Sequence, residues 1–158
     1  CIKKDVTEKD DDGFCNVNND NVKVENSGAP IQIRDVKTRR AGNNEIRLTF
    51  VVENKASGKV YPPGTFTNEC IHDEDKEDIL EIEVKTASSR HSLSCAQMGD
   101  KAKGEVKLTI DQERPIRCTI KTTTAPLRPI EEPINIKASY MYRNAIQTDL
   151  IVEDAERN

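Results

Sequence analysis

Two histidines, His72 and His91, five cysteines and 28 acidic residues carry whatever chemistry this 158-residue chain has to offer. A nucleophilic hydrolase needs a hydroxyl or thiol held against a base. The nearest approach is Ser88-Ser89-Arg90-His91-Ser92, where His91 and Ser92 are adjacent. Adjacent residues on a strand face opposite ways, so these two cannot share a proton there, and no G-x-S-x-G elbow occurs. The cysteines are Cys1, Cys15, Cys70, Cys95 and Cys118, none in a C-x-x-C pair. Structural zinc sites are built from close Cys pairs or Cys–His sets, so zinc is not expected. The acidic run His72-Asp73-Glu74-Asp75-Lys76-Glu77-Asp78 supplies hard oxygen atoms but lacks the D-x-[DN]-x-[DN]-G loop of a calcium site, and Lys76 interrupts its charge. It reads as a solvated loop, as does Asp10 to Asp12. No catalytic residue, cofactor-binding residue or metal ligand is assigned, no cofactor is expected, and the chain is read as non-enzymatic.

Charged residues make up 33% of the chain, with both signs interspersed and a net charge of −4. Lys37, Arg39 and Arg40 form a small basic cluster that reads as part of a turn. No aromatic side chains interleave with it and Trp is absent, so nucleic acid is not an expected partner. No run of about 18 apolar residues occurs, so no transmembrane segment is expected.

Unpaired with any metal motif, the cysteines read as disulfides of an extracellular or cell-surface protein. Cys118 shares the phase of Ile116 and Ile120, and Cys95 that of Leu93, so both should face the core and pair with each other. Cys1 and Cys15 flank a polar segment that a loop-closing bridge would order. Cys70 is then left unpaired. A cysteine at position 1 is also what a lipid-anchored secreted protein shows; a disulfide partner is the preferred reading.

The elements that would position these residues are strands. Ile, Val and Thr far outnumber Leu, and branched side chains suit a pleated surface. Ile46, Leu48, Phe50 and Val52 alternate with Glu45, Arg47, Thr49 and Glu53, which gives one dry and one wet face. The same alternation recurs at Leu80, Ile82 and Val84, at Val106, Leu108 and Ile110, and at Ile116, Cys118 and Ile120. Ile31, Ile33 and Val36 mark an earlier strand, Val22 and Val24 a short one, and Arg39 to Asn44 a turn. Ile134, Ile136, Ala138, Tyr140 and Tyr142 share a core-facing phase, with a turn at Arg143-Asn144-Ala145 and a return through Ile146, Thr148, Leu150 and Val152. The reading is all-β, an antiparallel two-sheet sandwich of about seven to nine strands. A polar segment, residues 1–21, precedes the domain at 22–153, and a polar tail follows at 154–158.

Ile31-Gln-Ile-Arg-Asp-Val36, followed by Ile46-Arg-Leu-Thr-Phe-Val-Val-Glu-Asn-Lys-Ala-Ser-Gly-Lys-Val60, resembles the first strands of immunoglobulin-like domains of archaeal cell-surface proteins. The wider group includes cell-adhesion-related domains of bacterial and archaeal envelopes. Such strands end there in an Asn-x-Gly-x-Gly-like turn; here Ala56 stands at the first small position and Gly58 keeps the second. The closing Ile134-Asn-Ile-Lys-Ala-Ser-Tyr-Met-Tyr142 resembles the last strands of the same domains, and Cys15, Cys70, Cys95 and Cys118 fall where they carry cysteines. The resemblance implies an immunoglobulin-like sandwich and an extracytoplasmic place, with no catalytic residue to carry over. The expected function is structural: a subunit of a surface filament or coat whose partner is protein, a second copy or a larger assembly. Sheet-edge pairing or strand donation would join subunits, with Cys1 to Val24 and Ile146 to Asn158 as candidate segments. The alternative is an adhesion or ligand-binding module using the loops Tyr61 to Asp78 and Thr122 to Pro133.

Overall fold

Alternating hydrophobicity folds the described residues into nine strands with almost no helix. The structure is a computed structural model and describes residues 24–42, 44–66, 74–88, 91–109, 111–122, 132–145 and 147–148. β1 (Ile31–Arg40), β2 (Glu45–Asn54), β7 (Glu113–Thr122) and β5 (His91–Cys95) form a four-stranded sheet in the order β1-β2-β7-β5. β6 (Lys103–Lys107), β4 (Ile79–Thr86) and β8 (Ile134–Ser139) form a second sheet in the order β6-β4-β8. β9 (Met141–Arg143) follows β8 after Tyr140 and pairs with the short β3 (Lys59–Tyr61). Every pairing is antiparallel.

The dry face inferred for β2 is the face that is buried. Leu48, Phe50 and Val52 are at most 1% exposed, and Leu48 and Phe50 sit opposite Cys118 and Ile116 of β7. Leu80, Ile82 and Val84 of β4 and Val106 of β6 belong to the same buried cluster, so the two larger sheets share one core. Each fully buried aliphatic or Phe side chain contributes about 1.5–3 kcal/mol, which makes this cluster the main source of stability.

Three local readings are corrected. Arg39 and Arg40 are not in a turn, because β1 continues to Arg40 and pairs it with Ile46. Val24 lies outside any strand and is 37% exposed, and Val22 lies outside the described residues. Pro115 lies two residues inside β7 instead of at its start. It is tolerated because β5 pairs with β7 only from Cys118 to Thr122, so at Pro115 one side of β7 carries no ladder. The returning strand expected from Ile146 to Val152 falls mostly outside the described residues; Thr148 is in no strand.

A bulge breaks β1. Arg34 opposes Val51 but Lys37 opposes Thr49, so β1 holds one extra residue between the two pairs. Asp35 takes φ +52°, the left-handed region in which Asp is among the tolerated residues. The extra residue reverses the phase of the strand. Ile31 and Val36 are both buried although four residues lie between them, a spacing that puts residues of an unbroken strand on opposite faces, and Lys37 and Arg39 point to the outer face.

Cys95 and Cys118 form a disulfide between directly opposed residues of β5 and β7, with Cα atoms 4.0 Å apart. The pairing expected from their phase is the one observed. It joins neighbours within one sheet, unlike the bridge between sheets that marks antibody domains. The bond closes a separation of 23 residues and ties the edge strand β5 to the core. Reduction is expected to lower unfolding free energy by roughly 3 kcal/mol on the chain-entropy account. Urea unfolding with and without reductant measures this, and coincident curves contradict it.

Gly58 explains the small residue after β2. A Cβ there would lie 2.4 Å from both the Arg143 carbonyl oxygen and Cζ of Tyr142. The close approach lets the Gly58 N–H donate to the Tyr142 hydroxyl at 2.8 Å. Gly58→Ala should therefore destabilise by about 1–3 kcal/mol. An unchanged urea midpoint would show that β9 can move aside.

Candidate functional site

An apolar concavity lies where the two sheets stop. β1 is the last strand of one sheet and β8 the last of the other. Between them runs a groove of about 590 Å³, lined by Ile31, Ile33 and Val36 from β1 and Ile134, Ile136 and Ala138 from β8. Tyr140 stands at its end, and its hydroxyl accepts from the Ile31 N–H at 3.4 Å.

The outer backbone edge of β1 is covered by a side chain instead of a strand. Asn26 Oδ1 accepts from the Ile33 N–H, and Asn26 Nδ2 donates to the Ile33 carbonyl, both at 2.8 Å. One amide thus makes the two bonds that one residue of a neighbouring strand would make. Among the described residues no strand pairs with this edge. The core phase expected for the β8 residues is real, since Ile134, Ile136, Ala138, Tyr140 and Tyr142 all pack against the core. All five are only half-buried, however, and for Ile134, Ile136 and Ala138 the reason is that β8 ends its sheet.

His91 and Ser92 face apart, with His91 half-buried and Ser92 exposed. The base reading of His91 gains a partner that spacing could not show. His91 Nε2 lies 2.6 Å from Glu132 Oε2, with the two side chains 9% and 13% exposed, and the Ser88 N–H donates to the other Glu132 oxygen. The pair links the start of β5 to the segment entering β8. The adjoining cavity is about 50 Å³, room for about three waters. Among the described residues no hydroxyl or thiol bonds to His91, and its Nδ1 is buried without a partner. The arrangement fastens the start of β5 to the segment entering β8.

The loop Tyr61 to Asp78 is described only at its two ends. Lys59 Nζ bridges them, 2.9 Å from Glu77 Oε1 and 2.9 Å from Asp78 Oδ2. Gln112 Nε2 also donates to Asp78 Oδ2 at 3.2 Å, and Asn54 Nδ2 donates to Gln112 Oε1 and to the Gly58 carbonyl. Tyr61 is 1% exposed, and burial pushes its hydroxyl pKa up. Its hydroxyl donates to Glu77 Oε2 at 3.3 Å, and its ring lies 4.7 Å from Phe66. The ends of this loop are thus held by a polar network spanning four strand ends. Cys1, Cys15, Cys70, His72 and most of the loop Thr122 to Pro133 lie outside the described residues. Among the described residues no group of His, Cys, Asp and Glu is arranged to hold a metal, and no helix is long and apolar enough to cross a membrane.

No family model matches the chain, and no curated protein or solved structure is significantly similar to it.

The Lys59 bridge predicts an alkaline limb of stability. The Glu77 carboxylate first, and Asp78 second, push the Lys59 pKa up from 10.5 to about 12. A group whose folded pKa is raised contributes fully below its unfolded value and is lost as pH rises through the folded one. The contribution therefore fades between pH 10.5 and about 12. It is small, because Lys59 is 42% exposed and solvent screens the pair. The stability difference between wild type and Lys59→Met, followed by urea unfolding, should shrink across that window. A difference independent of pH would contradict the assignment.

Proposed function

We propose that this chain is a non-enzymatic extracellular structural protein, a subunit that assembles with copies of itself through its open sheet edges. The fold we assign to it is an immunoglobulin-like sandwich, supported by two antiparallel sheets sharing one core. The extracellular setting is supported by the Cys95–Cys118 disulfide, since such bonds persist in oxidising compartments.

The observation that carries the reading is the apolar groove between β1 and β8. A strand from a second copy laid along β1 would replace the Asn26 side chain with a backbone ladder. Its alternate side chains would fill the space between Ile33 and Ile136. Backbone bonds would then supply affinity, and the side-chain pockets would supply register. Beyond the Asn26 amide no described strand covers this edge, and its remaining backbone groups are a template for a further strand.

Electron microscopy and sedimentation of the purified protein test the reading. Wild type should form linear or sheet-like assemblies as concentration rises. Ala138→Lys, which puts a charge into the groove, should remain monomeric with its Cys95–Cys118 bond intact. A wild-type protein that stays monodisperse at high concentration, or an Ala138→Lys variant that assembles like wild type, would sink it.

A further inference from the structure

The outer face of the four-stranded sheet holds a band of cations without ion-pair partners among the described residues. The bulge at Asp35 sends Lys37 and Arg39 of β1 to this face. Lys37 stands opposite Thr49 of β2, which stands opposite Arg117 of β7. In the next row Arg39 opposes Arg47, Arg47 opposes Thr119, and Thr119 opposes Ser94 of β5. These side chains line an open trough of about 530 Å³, in which Asp100 is the one acid among the described lining residues against four cations. The four cations are exposed, and none has an ion-pair partner among the described residues.

Several other cations of the two sheets are paired, although Arg40, Lys101, Lys107, Arg114 and Lys137 also have no ion-pair partner among the described residues. On the same face, Arg34 is met by Asp35, Glu53 and Glu113, and at the other end Lys121 pairs with Glu45 at 3.2 Å. On the outer face of the second sheet, Lys85 pairs with Glu83 at 2.9 Å and Lys103 with Glu81 at 3.1 Å. Like charges directly opposed across two strands, as at Arg39 and Arg47, are destabilising. In a chain of net charge −4, the unbalanced band has a local cause, the phase reversal in β1.

We infer that this face binds a linear acidic polysaccharide along Lys37, Arg39, Arg47 and Arg117. Guanidinium forks match carboxylate and sulfate groups with paired hydrogen bonds. The hydroxyls of Thr49, Ser94 and Thr119 lie between the cations, where the hydroxyls of a charged sugar can bond. A protein partner fits less well, because the trough offers no aromatic or large aliphatic side chain to anchor a desolvated interface. A single-stranded nucleic acid fits less well for the same lack of stacking surfaces. The inference does not depend on the groove between β1 and β8.

Titration calorimetry of the whole chain with heparin and polygalacturonate oligosaccharides tests it, with dextran, poly-glutamate and duplex DNA alongside. Wild type should bind both acidic polysaccharides, and the affinity should fall as salt rises. Arg47→Ser with Arg117→Ser should weaken binding roughly tenfold at low salt and flatten the salt dependence. Lys85→Ser with Lys103→Ser, on the opposite sheet, should leave both unchanged. Circular dichroism and peptide mapping of the Cys95–Cys118 bond confirm that each variant is folded. Absence of binding, equal losses from the two variant pairs, or tighter binding of poly-glutamate, DNA or dextran would overturn it.

Discussion

One extra residue in β1 sets the character of two surfaces. Asp35 adopts a left-handed conformation and shifts the register from Arg34–Val51 to Lys37–Thr49. Before the bulge, Ile31 and Ile33 face inward; after it, Val36 does. Lys37 and Arg39 are thereby kept out of the core, where their charge would cost far more than any burial returns. The same strand lines the groove with its aliphatic residues and supplies the outer face with cations. Arg34 secures the bulge by bonding to Glu53 at 2.7 Å and to Asp35 and Glu113 on either side. Those carboxylates raise its pKa, with the Glu53 hydrogen bond the largest cause.

Around that strand the structure is conservative. β2 and β7 bury one face each, and the disulfide fastens β5 to β7. The edges are treated unequally. At β5 a covalent bond and the His91–Glu132 pair hold the margin. At β1, among the described residues, the cover for Ile33 is the side chain of Asn26. That contrast is why the assembly proposal rests on β1 and β8 and not on the β5 side.

Much of the frame was legible in the sequence, because alternation is a local signal. The inward residues of β2, β4 and β7 follow from period two alone, and so does the pairing of Cys95 with Cys118. Gly58 was legible only as a small residue in a turn; its reason is Tyr142, 84 residues away. The His91–Glu132 contact, with 41 residues between its members, left no trace in spacing. The basic cluster reads as a turn in sequence because Asp35 interrupts the apolar period and the strand resumes in the other phase. The signal was present as the three-residue step from Ile33 to Val36, with an Asp between. Arg47 and Arg117 could not be added to that cluster without the strand order. Cys1, Cys15 and Cys70, the last left without a partner in the sequence reading, lie outside the described residues.

The register of β1 against β2 is the most direct test, because both surfaces depend on it. Cross-strand nuclear Overhauser effects between backbone protons report it without reference to any partner. The account predicts contacts that pair Ile33 with Val52 and, beyond the bulge, Lys37 with Thr49. Contacts pairing Lys37 with Leu48, the continuous register, would turn Lys37 and Arg39 toward the core and contradict it.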